Sequence, residues 1–531
     1  MFRRKFPVLT IVWALVIVTA VTAAPAEEAA AKDALARAAW TFSSDGGKTF
    51  ALRSLEIPAG ATINVVARAT FKVDDPAAVG GVRVMAGRLL TNAGFKLNGK
   101  QVTGPLPGML YYAVPVDPRV YLTNGENVLI VTGSAKNRSS VPMDVQLRVY
   151  LELYPPAMVS VQTGPMLGVI GPDFFTLTCR TNMPAEVTVT AQPIEPAGGA
   201  KTSVTSPRGF YHRLRVPLAK GTRKFSYTVT CQVGTFKKTG ELVRVGIPAF
   251  DGKSLRFVAA GDCRSHPDRW AAVAAAIHKA RPELMVFSGD MVGDGRWDHT
   301  WDQEWSDPAR ALLASVPIYP VIGNHEHNAA AYFELFYTPS ENPRNKKWAQ
   351  AVGTVLFIGI DGAAEWSGDS PNGKWLEEVL KKSKEKFIFL ATHYPAWSSG
   401  PHGKGNEGQM RAARKFIMPL LAKYNATAMI AGHDHDYERS EPPADQGVTC
   451  IVTGAAGAPT YGKSANNPYS KAFAAKLSFC VFDVNGDTCD MKVYEPSGRL
   501  IDERTFKARK ALATAERSAR RPPGAPDVID N

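Results

Sequence analysis

Five short stretches of the chain place an acid, an amide or an imidazole directly after a run of apolar residues. Carboxylate, amide and imidazole ligands without thiolates suit iron, manganese or zinc and do not choose among them. A pair of such ions polarises a phosphoryl oxygen and generates a hydroxide nucleophile near neutral pH, which phosphate ester hydrolysis lacks in water. In chain order the stretches are Gly261-Asp262, Gly289-Asp290, Gly323-Asn324-His325-Glu326, His393 and Gly432-His433-Asp434-His435.

Each of these stretches follows a predicted strand. In α/β sheets, ligands collect at the carboxyl ends of the strands, so five distant segments can converge there. Nine of the ten histidines fall between His266 and His435, which places metal chemistry in this part of the chain. A single Gly-Asp or histidine is more often a helix cap or a core residue, but an ordered set of five is hard to obtain by chance. The apolar runs begin at Leu255, Leu284, Ile318, Phe387 and Ala428.

Beyond Phe250, buried apolar strands alternate with helical stretches, a pattern that predicts an α/β domain. Apolar spacing predicts helices over 270–280 and 374–382. We expect the glycines that precede the candidate residues to let the backbone turn sharply at the sheet edge.

The segment from Trp40 to about Pro155 is strand-like and predicts an all-β sandwich. Apolar and polar residues alternate over 144–153, and Asn98-Gly99 and Asn124-Gly125 are turn signals. Residues 95–100 and 121–129 resemble the galactose-binding-like jelly rolls of secreted hydrolases, which implies glycan or cell-surface binding. A spacer is the alternative that we favour, because no aromatic platform can be placed.

A second β segment runs from about Ala157 to Pro248 and has the length of one fibronectin-III-like sandwich. Cys179 and Cys231 share the apolar parity of their strands and should face one core. A disulfide between them and two buried thiols are both open. The six cysteines are far apart and form no CxxC motif, which argues against a thiolate zinc site.

The first residues have the layout of a cleaved export signal, with basic residues at 3–5, an apolar run over 8–18 and small residues up to Ala24. A membrane anchor is the alternative, but the run is shorter than the ~20 residues that a spanning helix needs. We therefore expect a periplasmic, extracellular or cell-surface protein without a transmembrane span in the mature chain. The net charge of +13 favours anionic substrates or surfaces. No basic run alternates with aromatics, so nucleic acid is not an expected partner.

Three longer motifs, over 393–403, 432–439 and 452–459, give the third segment a resemblance to a known family. It resembles the calcineurin-like metallophosphoesterases, and within them the bacterial relatives of purple acid phosphatases, over about 254–500. A fibronectin-like domain directly upstream is also the purple acid phosphatase arrangement. The resemblance implies that Asp290 bridges two metals and that a bound water attacks phosphorus in line. It further implies that Asp262 and His435 complete metal 1, and that Asn324, His393 and His433 hold metal 2.

Four residues near these ligands have expected roles in catalysis or substrate binding. His325 would protonate the leaving-group oxygen or stabilise the phosphoryl charge. Glu326 would orient His325, or is simply exposed. His402, in a glycine-bounded loop, would reach the substrate, or is a surface histidine. Arg264 would grip phosphate with its planar guanidinium, or pairs with Asp262 or a neighbouring acid.

The sequence departs from the family pattern at two positions. Asp262-Cys263-Arg264 replaces the Asp-x-His of many metallophosphoesterases, and Gly293 stands where purple acid phosphatases have a tyrosine. Metal 1 therefore lacks one expected protein ligand, and we expect it to be bound more weakly or to carry an extra water. The violet iron-tyrosinate colour should be absent. Cys263 is interpreted as a packed small residue.

The leading hypothesis is an exported two-metal phosphoesterase (two Fe, Zn or Mn ions) that hydrolyses small phosphate monoesters or diesters. The alternative is a surface-binding or glycan-binding protein with a degenerate metallophosphoesterase domain. The predicted fold is two N-terminal all-β sandwiches followed by an α/β domain, in which a two-sheet βαβ sandwich is flanked by helices. The predicted map is 1–24 signal, 25–39 linker, 40–155 galactose-binding-like sandwich, 156–250 fibronectin-III-like domain, 251–507 catalytic domain and 508–531 disordered tail.

Overall fold

The computed structural model describes residues 31–509, apart from 37, 44, 51–53, 88–89, 107–110, 146, 148, 341 and 343. The predicted export signal and nearly all of the predicted C-terminal tail lie outside the described residues. The described residues fall into three parts: the first β region (31–154), the second β region (155–246) and the α/β region (254–507).

The first β region forms antiparallel sheets around one core. Their strand orders are β1-β11-β5-β8, β2-β4-β9-β6-β7 and β10-β3. The Asn98-Gly99 pair turns the β6–β7 hairpin with positive φ at both residues, as its sequence predicts. The strands are β1 Lys32–Asp33, β2 Thr41–Phe42, β3 Glu56–Ile57, β4 Thr62–Val73, β5 Gly81–Gly87, β6 Thr91–Leu97, β7 Lys100–Leu106, β8 Tyr111–Val116, β9 Gly125–Lys136, β10 Met143–Asp144 and β11 Val149–Tyr154, with the short helix α1 Pro118–Tyr121.

The alternating segment over 144–153 contributes to two sheets. The end of β10 pairs with β3, while β11 pairs with β5 and β1 in another sheet. Alternation marks the face on which a residue lies and not the sheet to which it belongs.

The second β region is a six-stranded antiparallel arrangement built around the long strand β13. Residues 175–181 of β13 pair with β12, and residues 186–195 pair with β15 on the same strand. Strand β14 pairs with residues 174–180 and 185–191 of β13. Cys179 and Cys231 lie in its core as two buried free thiols. The strands are β12 Val161–Ile170, β13 Phe174–Glu195, β14 Thr202–Pro217, β15 Lys224–Val233, β16 Phe236–Thr239 and β17 Val243–Gly246.

The α/β region contains two packed sheets. One has the order β20-β19-β18-β28-β29-β30, and the other has the order β21-β22-β23-β24-β26-β25-β27. The strands are β18 Ser254–Ala260, β19 Leu284–Phe287, β20 Ile318–Pro320, β21 Trp348–Val352, β22 Val355–Gly359, β23 Phe387–Ala391, β24 Ala428–Ala431, β25 Tyr437–Ser440, β26 Thr449–Thr453, β27 Ser470–Ala474, β28 Phe479–Asn485, β29 Thr488–Tyr494 and β30 Leu500–Lys507.

Aromatic side chains from both sheets fill the space between them. The ring of Phe257 on β18 lies 4.9 Å from that of Phe357 on β22 and 5.1 Å from that of Phe389 on β23, measured between centroids. Strands buried on both faces are continuously apolar, which explains the runs in the sequence.

Helices cover the outer faces of the two sheets. Trp270 of α2 stacks on Trp305 in the core beside the first sheet, and Leu376 of α6 lies in the core beside the second. The helix predicted over 270–280 is confirmed and begins at Pro267, a residue suited to the first helical position. The helices are α2 Pro267–Ala280, α3 Asp298–Thr300, α4 Asp307–Ser315, α5 Ala330–Leu335, α6 Pro371–Lys382, α7 Pro401–Gly405, α8 Gly408–Ala412 and α9 Met418–Lys423, with π-helical turns at Trp301–Ser306 and Ala413–Ile417.

Both β regions contact the segment 297–302 of the α/β region, which follows Asp290 in the chain. Trp297 is buried in the core of the first β region. From the second β region, Arg180 forms a buried ion pair with Asp302 at 2.6 Å, and the Tyr211 hydroxyl donates to Asp298 at 2.7 Å. A paired buried charge is costly to disrupt, so these contacts fix the segment firmly.

The predicted fold class is confirmed, since N-terminal β-sheet domains precede a two-sheet α/β domain. The galactose-binding-like and fibronectin-III-like assignments and the domain boundaries stay predictions. Within the described part of the chain, no helix is long and apolar enough to cross a membrane.

Candidate metal centre

The six candidate ligands come together at one edge of the two sheets. Strands β18, β19 and β20 are parallel neighbours in one sheet, and β23 and β24 are parallel neighbours in the other. Their carboxyl ends therefore open on a common edge, as the sequence predicts. The first sheet supplies Asp262, Asp290 and Asn324, and the second supplies His393, His433 and His435.

Tight backbone turns place the ligands, and Gly289 before Asp290 makes such a turn as expected, with a φ of 94°. Asp262, Asp290 and His433 themselves have positive φ values of 57°, 56° and 73°. A Cβ atom on Gly432 would lie 2.1 Å from Oδ2 of Asp262, so this glycine is needed for close approach. Left-handed non-glycine residues concentrate at functional sites, where surrounding structure holds them in place.

Three acceptor atoms face one another around His393. Its Nε2 lies 2.9 Å from Oδ1 of Asn324, 3.2 Å from Nδ1 of His433 and 3.4 Å from Oδ1 of Asp290. Its Nδ1 donates to the carbonyl of Ser288 at 2.8 Å, so Nε2 carries the lone pair. Several lone pairs directed at one point repel each other unless a cation lies among them, and oxygen and imidazole nitrogen suit a divalent metal.

Asp262, His435 and Arg264 form the other side of the site. The Nδ1 atom of His435 donates to the carbonyl of Pro459 at 2.9 Å, which leaves its Nε2 facing Oδ1 of Asp262 at 3.7 Å. The guanidinium of Arg264 lies 3.4 Å from Oδ2 of Asp290 and donates to Nε2 of His435 at 3.4 Å. Arg264 thus lies inside the site, and its ion-pair partner is Asp290.

The pKa values of the two central carboxylates are shifted in opposite directions. Burial, followed by the charge of Asp290, raises the pKa of Asp262 well above its usual range. Burial also opposes ionisation of Asp290, but the backbone N–H of His325 and the charge of Arg264 favour the carboxylate, and the pKa of Asp290 is lowered. Ligand atoms of Asp262, Asp290 and His393 lie within 4.8 Å of one another. Two buried acids this close favour a metal that neutralises both.

The buried imidazoles are held neutral. Burial lowers the pKa of His393 and of His433, and burial with the nearby Arg264 lowers the pKa of His435 to about 4. Because metals bind the neutral ring, these three side chains are ready to act as ligands at neutral pH.

His325 reaches the site as predicted, but Glu326 does not orient it. The backbone N–H of His325 donates to Oδ1 of Asp290 at 3.0 Å, its Nδ1 donates to the carbonyl of Gly293 at 2.7 Å, and its Nε2 lies 3.9 Å from Oδ2 of Asp290. Glu326 is fully buried and accepts from the backbone N–H groups of Asp290, Met291 and Gly323. It therefore fixes the Asp290 loop, so the expectation of an exposed glutamate is also wrong.

The position of Gly293 leaves little room for a larger side chain. A Cβ atom there would lie 3.0 Å from Oγ of Ser265 and 3.3 Å from a carboxylate oxygen of Glu304. Glu304 accepts from the backbone N–H groups of both Ser265 and Gly293. Cys263 is fully buried, with Sγ 3.2 Å from the carbonyl of Met291, which agrees with a packing role.

His402 lies beside the site and contacts Glu407, a residue that the sequence did not indicate. Its ring centroid is 3.8 Å from that of His433, and its Nδ1 donates to Oε1 of Glu407 at 2.6 Å. The other oxygen of Glu407 accepts from Nε2 of His433 at 2.9 Å. Glu407 stands among polar residues in a short loop between helices, so no periodicity or apolar run marks it.

Comparisons with known proteins agree with this geometry. Residues 255–437 match the calcineurin-like phosphoesterase family. Tartrate-resistant acid phosphatase type 5 from Rattus norvegicus is 26% identical over 246 residues, which cover 38% of this chain and 72% of that protein. The same enzyme from Oryctolagus cuniculus is 27% identical over 252 residues, covering 38% and 73%.

A solved structure extends the likeness in fold beyond the α/β region. The purple acid phosphatase PPD1 from yellow lupin (Lupinus luteus) seeds aligns with a TM-score of 0.59 and 13% identity, covering 89% of this chain and 98% of that one. Residues 255–437 therefore form a calcineurin-like phosphoesterase domain, and the fold of the chain is similar to that of a purple acid phosphatase.

Proposed function

We propose that the protein is an exported phosphoesterase that uses two metal ions to hydrolyse small phosphate monoesters or diesters. One observation supports this most strongly. Side-chain atoms of Asp290, Asn324 and His433 all lie within 3.4 Å of Nε2 of His393. In this proposal Asp290, Asp262 and His435 would hold metal 1, and Asp290 with Asn324, His393 and His433 would hold metal 2.

The metal pair would supply an activated water and charge neutralisation on the phosphoryl group. Around it, Arg264 offers a guanidinium to phosphate oxygens and is 18% exposed at the edge of the site. His325 is 28% exposed and presents Nε2 to the site, where a protonated ring would donate to the leaving-group oxygen. His402, whose ring lies 3.8 Å from that of His433, would contact the substrate.

Export is part of the proposal and is supported by the basic, apolar and small-residue order of the first 24 residues. A surface-binding protein with a degenerate catalytic domain is the competing function. All six proposed ligands are present and meet at one edge, which favours the enzyme.

The test is metal analysis of the purified full chain together with hydrolysis of a generic aryl phosphate, with and without a chelator. We expect two ions per chain and turnover that disappears with the ions. Asp290→Ala should abolish hydrolysis and lower the metal content, whereas Asp268→Ala, on the exposed face of α2, should leave both unchanged. Full activity in Asp290→Ala would refute the assignment, and absence of both metal and turnover in the wild type would favour the binding protein.

A further inference from the structure

Glu407 is an acid in contact with the metal centre that the proposed function does not use. It follows α7 and is the residue before α8, with a side chain that is 32% exposed. Its two carboxylate oxygens are divided between two imidazoles, one accepting from His402 at 2.6 Å and the other from His433 at 2.9 Å.

The hydrogen bond to Glu407 determines which nitrogen of His433 faces the metal centre. A carboxylate accepts only, so Nε2 of His433 carries the proton and Nδ1 carries the lone pair. Nδ1 is the atom that lies 3.2 Å from Nε2 of His393, on the side where the metal-2 ligands meet. The opposite tautomer would direct an N–H group at that point and could not bind an ion.

A carboxylate on the outer nitrogen also makes an imidazole a better donor to metal. Metal-binding histidines usually donate their other N–H to a carboxylate, carbonyl or water, which fixes ring orientation and raises basicity. His393 uses the Ser288 carbonyl and His435 uses the Pro459 carbonyl for this purpose. Of these three imidazoles, His433 alone has a charged acceptor on its outer nitrogen among the described contacts.

We propose that Glu407 is a positioning residue that holds His433 in the metal-binding tautomer and strengthens its grip on metal 2. This inference rests on the proposed function, because it assumes that His433 is a metal ligand. Glu407 acts through His433, and it ties the substrate-side His402 to the same carboxylate.

The competing interpretation is a separate cation site. Ligand atoms of His402, Glu407 and His433 lie within 4.8 Å of one another, so the three could hold an ion of their own. That arrangement would require His433 to bind metal through both ring nitrogens. It also predicts that His402 and Glu407 matter equally for metal content, and the positioning role predicts that they do not.

The experiment is calorimetric titration of the metal-free full chain with Mn²⁺ and Zn²⁺, without substrate. In Glu407→Gln, we expect one of the two ions to bind about 10- to 100-fold more weakly, the loss typical of removing a partner of a ligating histidine. The other ion should keep its affinity, and the metal-free variant should unfold at the wild-type temperature. His402→Ala should leave both affinities unchanged, as should the matched control Glu365→Gln at an exposed position.

Two results would overturn the inference while leaving the proposed function intact. The first is wild-type affinity for both ions in Glu407→Gln. The second is a third ion in the wild type that is lost in both Glu407→Gln and His402→Ala. A wild-type protein that binds no ion would refute the proposed function and this inference together.

Discussion

The two halves of the metal centre are built differently. In the metal-2 half, the neutral acceptors of Asn324, His393 and His433 meet, and both imidazoles are oriented by acceptors on their outer nitrogens. In the metal-1 half, a buried acid with a raised pKa and one imidazole share the space with the guanidinium of Arg264.

One edge of the two sheets can therefore hold two sites of unequal strength. The guanidinium of Arg264 pairs with Asp290 and donates to His435. It therefore fills the space beside these two residues, where a further metal-1 ligand would lie. At Gly293, Ser265 and Glu304 fill the space beside the backbone. Metal 2 should therefore be the permanent ion and metal 1 the exchangeable one.

The largest expected effect comes from breaking the metal-2 half. His393→Ala removes the nitrogen on which the other ligands converge, so hydrolysis of an aryl phosphate should fall by about 10³-fold or more, since a metal contributes several kcal/mol to the transition state. Steady-state kinetics and elemental analysis measure this result. An unfolding temperature of the metal-free variant near the wild-type value is the control, and retained activity would contradict the assignment.

Removing the guanidinium of Arg264 tests whether this side chain binds substrate in the metal-1 half instead of a metal ion. Arg264→Gln should raise KM by about 10- to 100-fold, because hydrogen bonds to charged groups contribute about 1.5–3 kcal/mol. Metal content should not fall, because Arg264 is not a ligand. If KM stayed constant while an ion was lost, Arg264 would be a structural partner of Asp290 only.

Stepwise removal of metal tests whether the two halves hold their ions with unequal affinity. During dialysis against increasing chelator, the first ion should leave at a concentration at least about tenfold lower than the second, since one ligand position is missing. Elemental analysis at each step measures the occupancy. Iron-loaded protein should lack a violet band, whereas simultaneous loss of both ions or a tyrosinate band would contradict the asymmetry.

The smallest effect concerns pH. Burial and the charge of Asp290 raise the pKa of Asp262, so this acid keeps its proton to higher pH than a free aspartate and must lose it to bind metal 1. Affinity for metal 1 should therefore rise with pH, by up to about tenfold per unit, while the neutral imidazoles of the metal-2 half release no proton. Calorimetry in buffers of different ionisation enthalpy counts the protons, and equal release by both ions would refute this difference.

Much of the centre was predictable because its ligands follow buried strands. Asp262, Asp290 and His393 each come within three residues of a strand end, and parallel strands bring such positions to one edge. The role of the glycines was only partly predictable. The sequence indicates a turn, but it does not indicate that Asp262 and His433 carry the positive φ.

The contacts around the ligands could not be predicted, because they depend on loop conformation. Glu326 looks like an exposed acid after His325, yet it is buried under three backbone N–H groups. Glu407 lies 26 positions from His433 in the chain and meets it only through folding of the loop after α7. The assignment of β10 and β11 to different sheets could not be predicted either, because the alternation over 144–153 marks the face of a residue and not its sheet.

The most direct test of the central claim is a crystal structure of the protein soaked in Mn²⁺, with an anomalous difference map. Two peaks should appear about 3.5–4 Å apart on either side of Asp290, the stronger one among Asn324, His393 and His433. No peak beside Asp290, or a single peak away from these side chains, would contradict it.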